Sequence, residues 1–273
     1  MRLSGSKTIS QAFAWLGERF RIVTTLVGLF LLLPGAVYVV ALGRVQGQLF
    51  ANPAQMASLG GAFVAVWVLN LLVQLAGMAA LCAAFSARES LTAVEAIGAG
   101  LRSLPTVIAA MLVFGIAYFI AFFGGGMLFT TLGAATRSFA MIFMAIIVLL
   151  SGTFYVAIRF SLTLPVAVND GVRSPVTALA RSWRLTRGNA FKLFLLYLIL
   201  YLAFSAVIGL VLSISGQFVV ANGASALPEL GSSLILAVTI AGVLVNTVLI
   251  AVIAAAHAQL TGDAVESFSE TFA

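Results

Sequence analysis

Long stretches of this chain pass without a single charged side chain. Ile22–Gly43, Gly61–Phe85, Thr106–Leu128, Phe139–Ile158 and Ser233–Ala256 hold none, and Phe191–Ser213 holds only Lys192 near its start. A run of about 18 or more apolar residues is long enough to cross the hydrocarbon core of a bilayer as a helix. In hydrocarbon the backbone must satisfy its own hydrogen bonds, which a helix does within one segment. Strand-like alternation does not describe these runs, which argues against an outer-membrane barrel. With 8% charged residues, where a soluble domain carries about 25%, the chain lacks the polar surface to cover itself in water. The expected fold is therefore all-α and polytopic. It is a single membrane domain over residues 1–273, with six transmembrane helices at 22–43, 61–85, 106–128, 139–158, 191–213 and 233–256. The first run follows a polar segment and is longer than the apolar part of a signal peptide, so it reads as a retained helix. The lone cysteine, Cys82, has no partner for an internal disulfide and reads as a small buried hydrophobe.

The cations fix the orientation. Six crossings put the N-terminus, the segment Ser86–Pro105, the segment Arg159–Ala190 and the C-terminus on one side. That side collects Arg2, Lys7, Arg19, Arg21, Arg88, Arg102, Arg159, Arg173, Arg181, Arg184, Arg187 and Lys192. The other side receives only Arg44 and Arg137 of the 14 Lys and Arg. Cytoplasmic connections hold the excess of Lys and Arg, so both termini are expected in the cytoplasm. The basic balance, a net charge of +6, follows from this sorting and does not imply nucleic acid.

Three segments ahead of the odd-numbered spans resemble one another. They read Thr8-Ile-Ser-Gln11-Ala12-Phe13, Thr92-Ala-Val-Glu95-Ala96-Ile97 and Ser174-Pro-Val-Thr177-Ala178-Leu179. Thr8 with Gln11 and Thr92 with Glu95 fit a capping box, in which hydroxyl and longer side chain each satisfy a backbone N–H. Ser174 is a cap followed by Pro175 in the first turn, where the missing N–H costs nothing. The unit reads as one short interfacial helix followed by two spans, used three times, with the interfacial helices at 8–20, 92–103 and 174–187. Small residues crowd the matching halves of the even spans: Ala76 to Ala84, Ser151-Gly152 and Ala251 to Ala256. Small residues let backbones approach closely in membranes, so the even spans are expected inside. The odd spans, aromatic at Phe194, Tyr197, Tyr201 and Phe204, are expected towards lipid.

The stretch Tyr155–Lys192 carries the sharpest pattern. Val176, Leu179, Ala180 and Trp183 stand at helical spacing, with Arg173, Arg181, Arg184 and Arg187 on a neighbouring arc. A helix lying in the membrane interface presents such a Trp at headgroup depth and such arginines to lipid phosphates. With Lys192, these residues are the candidate lipid-phosphate or interface set. Three readings of the arginines stand together: topology determinants, a patch for anionic lipid, or a contact for a protein partner. Gly188-Asn189 supplies a helix end before the fifth span.

The order aromatic, Arg159, Ser-Leu, Pro165, then Ala178, Leu179, Ser182, Trp183, Leu185, Thr186, Gly188 and Asn189 resembles the membrane domain found fused to some bacterial glycerophosphoryl diester phosphodiesterases. That family includes many stand-alone inner-membrane proteins. The resemblance implies a multi-pass protein of the bacterial inner membrane. It does not imply the enzyme's chemistry, which in such fusions belongs to a separate soluble barrel with metal-binding carboxylates and histidines, a domain for which this chain leaves no room.

Groups for catalysis are few. The single histidine, His257, reads as an interfacial cap or buried hydrogen bonder, and the acids Glu18, Glu89, Glu95, Asp170, Glu229, Asp263, Glu266 and Glu270 lie outside the spans. No intramembrane carboxylate marks a proton or ion path. Gly124-Gly125-Gly126 lacks the lysine of a phosphate loop and reads as a span end. Asn70, Gln74 and Asn246 lie at depth, either bonding helix to helix or lining a polar cavity. No catalytic residue, metal site or cofactor is expected. The leading expectation is a non-catalytic membrane protein that binds or organises anionic lipid and scaffolds a membrane partner. The alternatives are a carrier of a lipid or small amphiphile and, behind both, an enzyme acting on lipid.

Overall fold

The computed structural model describes residues 3–41, 56–86, 91–136, 139–222 and 227–271. Arg2, Arg44, Arg88, Glu89 and Arg137, all used in the sequence argument, lie outside the described residues. Every regular element within them is a helix. Helix α1 is Gly5–Glu18, and α2 starts at Phe20–Val27 and continues through a wider turn, Gly28–Leu32, into helical residues 33–41. Then come α3 (Met56–Ala84), α4 (Ala93–Thr136), α5 (Phe139–Phe160), the short α6 (Thr163–Val168), α7 (Pro175–Leu185), α8 (Ala190–Asn222) and α9 (Leu227–Thr271). Six stretches are long and apolar enough to cross a membrane: Phe20–Ala41, Phe63–Ala84, Ala93–Thr131, Ile146–Val168, Ala190–Leu210 and Leu236–Gly262. The all-α, six-helix reading of the sequence holds.

The segments ahead of the odd spans form in three different ways. The first, α1, starts a turn earlier than Thr8, with Ser4 at its N-cap. Thr8 is not a cap: it is fully buried, and its Oγ1 donates to the Ser4 carbonyl at 2.9 Å. The second is not a separate helix. Residues 93–103 are the opening turns of α4, which passes through Pro105 and through Gly124-Gly125-Gly126 without a break. The 44 residues of α4 make about 66 Å of helix, about twice the hydrocarbon core of about 30 Å. Its capping box is intact, with the Thr92 N–H donating to Glu95 Oε2 at 2.8 Å and the Glu95 N–H donating to Thr92 Oγ1 at 3.4 Å. The third, α7, is a separate helix capped by Ser174, which accepts from the Thr177 N–H, with Pro175 in its first turn. In all three, the alanine at the shared offset (Ala12, Ala96, Ala178) is 0% exposed.

The packed interior lies at one end of the molecule. Ala80, Leu81, Cys82, Ala83, Ala84 and Phe85 of the α3 end meet Ala251, Val252, Ala254 and Ala255 of α9, with Leu26 and Leu31 of the first span, Ala12 of α1 and Ala96 of α4. A second cluster joins Leu3, Ile158, Leu162, Leu193, Ala256 and Leu260. The small-residue expectation is met in the second and sixth spans. It fails in the fourth, where Ser151 and Gly152 are exposed, because α5 stands at the side of the bundle and shows much of its surface outward. Two glycines mark the closest approaches. A Cβ at Gly77 would overlap the Phe30 side chain, and one at Gly100 would lie 2.6 Å from the Ala80 amide nitrogen. Arg19 ties the α1–α2 joint to the end of α3: its guanidinium donates to the carbonyls of Ala84 and Ser86.

The α3–α4 contact at Gly100 gives a direct test. Gly100→Leu should destabilise the protein by about 1–3 kcal/mol, the cost of overpacking a filled site. Gly98→Leu, whose Cβ would meet nothing within 4 Å, should unfold near the wild-type temperature. Thermal unfolding of both variants in the same detergent checks this.

Candidate functional site

Residues 155–193 fold back on themselves at the packed end and bring the sequence pattern into one knot. The last turn of α5 presents Tyr155 and Arg159, and α7 lays Ser182, Trp183 and Thr186 across them. The Ser182 hydroxyl donates to the Arg159 carbonyl at 2.9 Å, supplying a donor to a helix-end carbonyl that has none within its own helix. Thr186 Oγ1 lies 2.9 Å from the Ser182 carbonyl and 3.3 Å from that of Arg159. The Arg159 guanidinium, 4.2 Å from the Trp183 ring centroid and 5.7 Å from that of Tyr155, donates to Thr186 Oγ1 at 3.3 Å. Arg159 is only 5% exposed, and its Nε has no hydrogen-bond partner. A guanidinium over an aromatic face gains about 2 kcal/mol when desolvated. Trp183 is therefore less a free headgroup anchor than a cover for Arg159.

The chain after α5 is shaped by its turn residues. Pro165 is fully buried at the start of α6. Gly171 and Gly188 take positive φ (65° and 83°), a conformation open to glycine at little cost. After Gly188, Asn189 is buried and its Oδ1 accepts the Leu3 N–H at 3.0 Å, while Lys192 Nζ donates to the Leu3 carbonyl at 3.0 Å. Ser4 N–H reaches Gln259 Oε1 at 3.4 Å. The N-terminal strap is thereby held by α8 and α9.

A second polar group lies behind α7. Asp170 Oδ2 is 3.0 Å from Arg181 and 3.1 Å from His257 Nε2, with the carboxylate and the imidazole side chains 4% and 5% exposed. The Arg181 side chain is 39% exposed. This places one acid and the single histidine against each other across the α6–α7 loop and α9. Spacing gave no sign of it, since 87 residues separate them; the only signal was scarcity, with few acids and one imidazole for a buried end to use. Among the described residues, no group of three or more His, Cys, Asp and Glu is arranged to hold a metal ion.

The candidate cations thus divide. Arg181 is held by Asp170 and Lys192 by the Leu3 carbonyl, whereas Arg173, Arg184 and Arg187 are exposed on α7 and its flanks. The apolar stripe is turned differently from the sequence pattern: Ala178 and Ser182 are buried, while Val176 and Ala180 are exposed and Leu179 and Trp183 are half-buried. The burial follows from Ser182 binding the Arg159 carbonyl, which turns that face inward. Asn70, Gln74 and Asn246 are half-buried, and no hydrogen bond among the described residues joins any two of them; Asn70 Oδ1 is buried without a partner.

Between α4 and α5 runs an apolar groove of about 300 Å³. Its lining includes Phe114, Tyr118 and Phe122 on one side and Leu149, Gly152 and Phe160 on the other. Its polar atoms are already joined: Tyr118 Oη lies 3.1 Å from Thr153 Oγ1, which donates to the Leu149 carbonyl at 2.7 Å.

With the knot's geometry in place, comparison with known families gives one match. Residues 129–261 match the family model for the membrane domain of glycerophosphoryl diester phosphodiesterase. This bears out the resemblance carried by the Arg159–Asn189 pattern. The matched stretch covers the α5 span, the knot, α8 and most of α9, while the strap at Leu3 and Ser4, α1, α2 and α3 lie outside it. No curated protein and no solved structure matches the chain. Within the membrane-domain match, the pattern residues serve the fold of the knot: Arg159, Ser182, Trp183, Thr186 and Asn189 bond to one another or to the strap.

The Asp170 group is tested by a double-mutant cycle. Asp170→Asn and His257→Ala should each lower stability by about 1–3 kcal/mol, the cost of leaving a buried polar group unsatisfied. Because both changes break one contact, the double variant should lose clearly less than the sum. Thermal or denaturant unfolding in detergent measures the coupling.

Proposed function

We propose that this is a non-catalytic protein of the bacterial inner membrane that binds anionic lipid at its cation-rich end and scaffolds a membrane partner there. The observation that carries the reading is the division of the cations. Those used by the fold, such as Arg159, Arg181 and Lys192, are engaged with aromatic, acidic or carbonyl partners. Arg173, Arg184 and Arg187 are left exposed beside the half-buried Trp183. Basic residues near an anionic membrane surface contribute about 1 kcal/mol each. The one-sided cation excess supports a cytoplasmic position for this end and for both termini. The equal burial of Ala12, Ala96 and Ala178 supports three related units, with α1, the start of α4 and α7 as their interfacial parts. Among the described residues the acid and imidazole groups are arranged as a clasp, with the imidazole Nε2 occupied by Asp170, and this favours a structural role over catalysis.

A carrier of a lipid or small amphiphile is the second reading, and it draws on the unpartnered Oδ1 of Asn70 at membrane depth. It would be preferred if wild-type protein in liposomes moved a labelled phospholipid between leaflets and Asn70→Leu did not.

The lipid reading predicts that changing Arg173, Arg184 and Arg187 together to Gln lowers retention of anionic phospholipid in the purified protein by about tenfold or more, as expected for about 1 kcal/mol per residue. The unfolding temperature should stay near wild type, because none of the three holds an acid among the described residues. Lipid content by mass spectrometry measures the first quantity, and unchanged content refutes the reading.

A further inference from the structure

We propose that the groove between α4 and α5 seats one acyl chain of an anionic phospholipid whose phosphate rests on Arg184 and Arg187. The inference deepens the lipid reading and rests on it. Along α4 the groove runs from Phe114 to Phe122, about 12 Å at 1.5 Å per residue. That approaches the depth of one leaflet, half of a core about 30 Å thick. Its deep part holds no polar group waiting for a ligand, since the hydroxyls of Tyr118 and Thr153 bond to each other and Thr153 also bonds the Leu149 carbonyl. Hydrocarbon fits such a slot, and a polar solute does not.

The head end of the groove has the opposite character. Phe114 and Phe160 close it with ring centroids 5.3 Å apart, and Phe160 lies 5.4 Å from the Trp183 ring. Beneath Trp183 sits the buried Arg159 guanidinium, which has no acid partner among the described residues. Arg184 follows Trp183 directly and Arg187 comes three residues later, just past the end of α7, both exposed and both without an acid partner among the described residues. An apolar channel that ends under unpaired positive charge complements an amphiphile with an anionic head. In the spans of a membrane protein, that amphiphile is a phospholipid.

Gly152 allows a clean test. It lines the groove, and a Cβ there would meet nothing within 4 Å, so Gly152→Phe fills the slot without displacing the bundle. Native mass spectrometry of the full chain, exchanged into detergent with phosphatidylglycerol or phosphatidylcholine, reads the outcome. Wild type should hold one phosphatidylglycerol in preference to phosphatidylcholine. Gly152→Phe should lose it at least tenfold with its unfolding temperature unchanged. Each of Arg184→Gln and Arg187→Gln should weaken the preference for phosphatidylglycerol by about fivefold. Loss in the arginine variants with full retention in Gly152→Phe would overturn the groove and leave the lipid reading standing. Equal retention of the two lipids by wild type and by the arginine variants would overturn both.

Discussion

Helices surrounded by lipid gain little by hiding apolar side chains from it, so the bundle depends on how closely backbones can approach. That approach is concentrated at one end. Gly100 rests on the backbone of Ala80, Gly77 on Phe30, and the alanines of the α3 end meet those of α9. Where these small residues stop, the helices show apolar side chains outward, as Ile116, Phe119, Ile120 and Phe123 do on α4. The molecule is thus tight at its cation-bearing end and open along the rest of its spans. The groove beside α5 is one result of that opening.

The tight end can hold polar groups because most of them have been given a partner, Arg159 Nε and Asn169 Oδ1 being exceptions. Helix ends leave carbonyls without intrahelical donors; here Arg19 serves those of Ala84 and Ser86, and Ser182 serves that of Arg159. Asp170 sits between Arg181 and His257, and Asn189 with Lys192 takes both backbone groups of Leu3. These bonds join segments far apart in the chain. They turn a set of spans into one packed end and fix the direction in which α7 leaves the bundle.

Much of this could be read before folding. Runs free of charge located the spans because hydrocarbon excludes charge whatever the packing. Thr92 with Glu95 and Ser174 with Pro175 announced their helix starts because caps are local chemistry. Thr8 misled for a physical reason: the same hydroxyl that caps one helix can, when buried, bond back to the carbonyl four residues earlier, as it does to Ser4. The join between residues 93–103 and the third span was hidden because Pro105 looks like a stop but is carried inside α4. In the site, the pattern marked Arg159, Ser182, Trp183, Thr186 and Asn189 as a set without saying that they touch. The Asp170–His257 pair left no trace in spacing because one partner comes from the α6–α7 loop and the other from α9, 87 residues away.

One feature of the sequence, the crowding of cations on one side, turns out to serve two physical ends. Positive charge retained on one face sets orientation wherever the side chains point, so orientation alone asks nothing of their burial. Yet Arg159 is buried under Trp183, Arg19 caps a helix, and Arg181 holds Asp170, while Arg184 and Arg187 stay exposed beside them. A topological role would be served equally if all of them were solvated. Burying a guanidinium costs energy that cation–π contact and hydrogen bonds must offset, and here Trp183, Tyr155 and Thr186 supply them. The buried cation braces α7 through Trp183 and Thr186, and so fixes the helix that carries Arg184 and leads into Arg187.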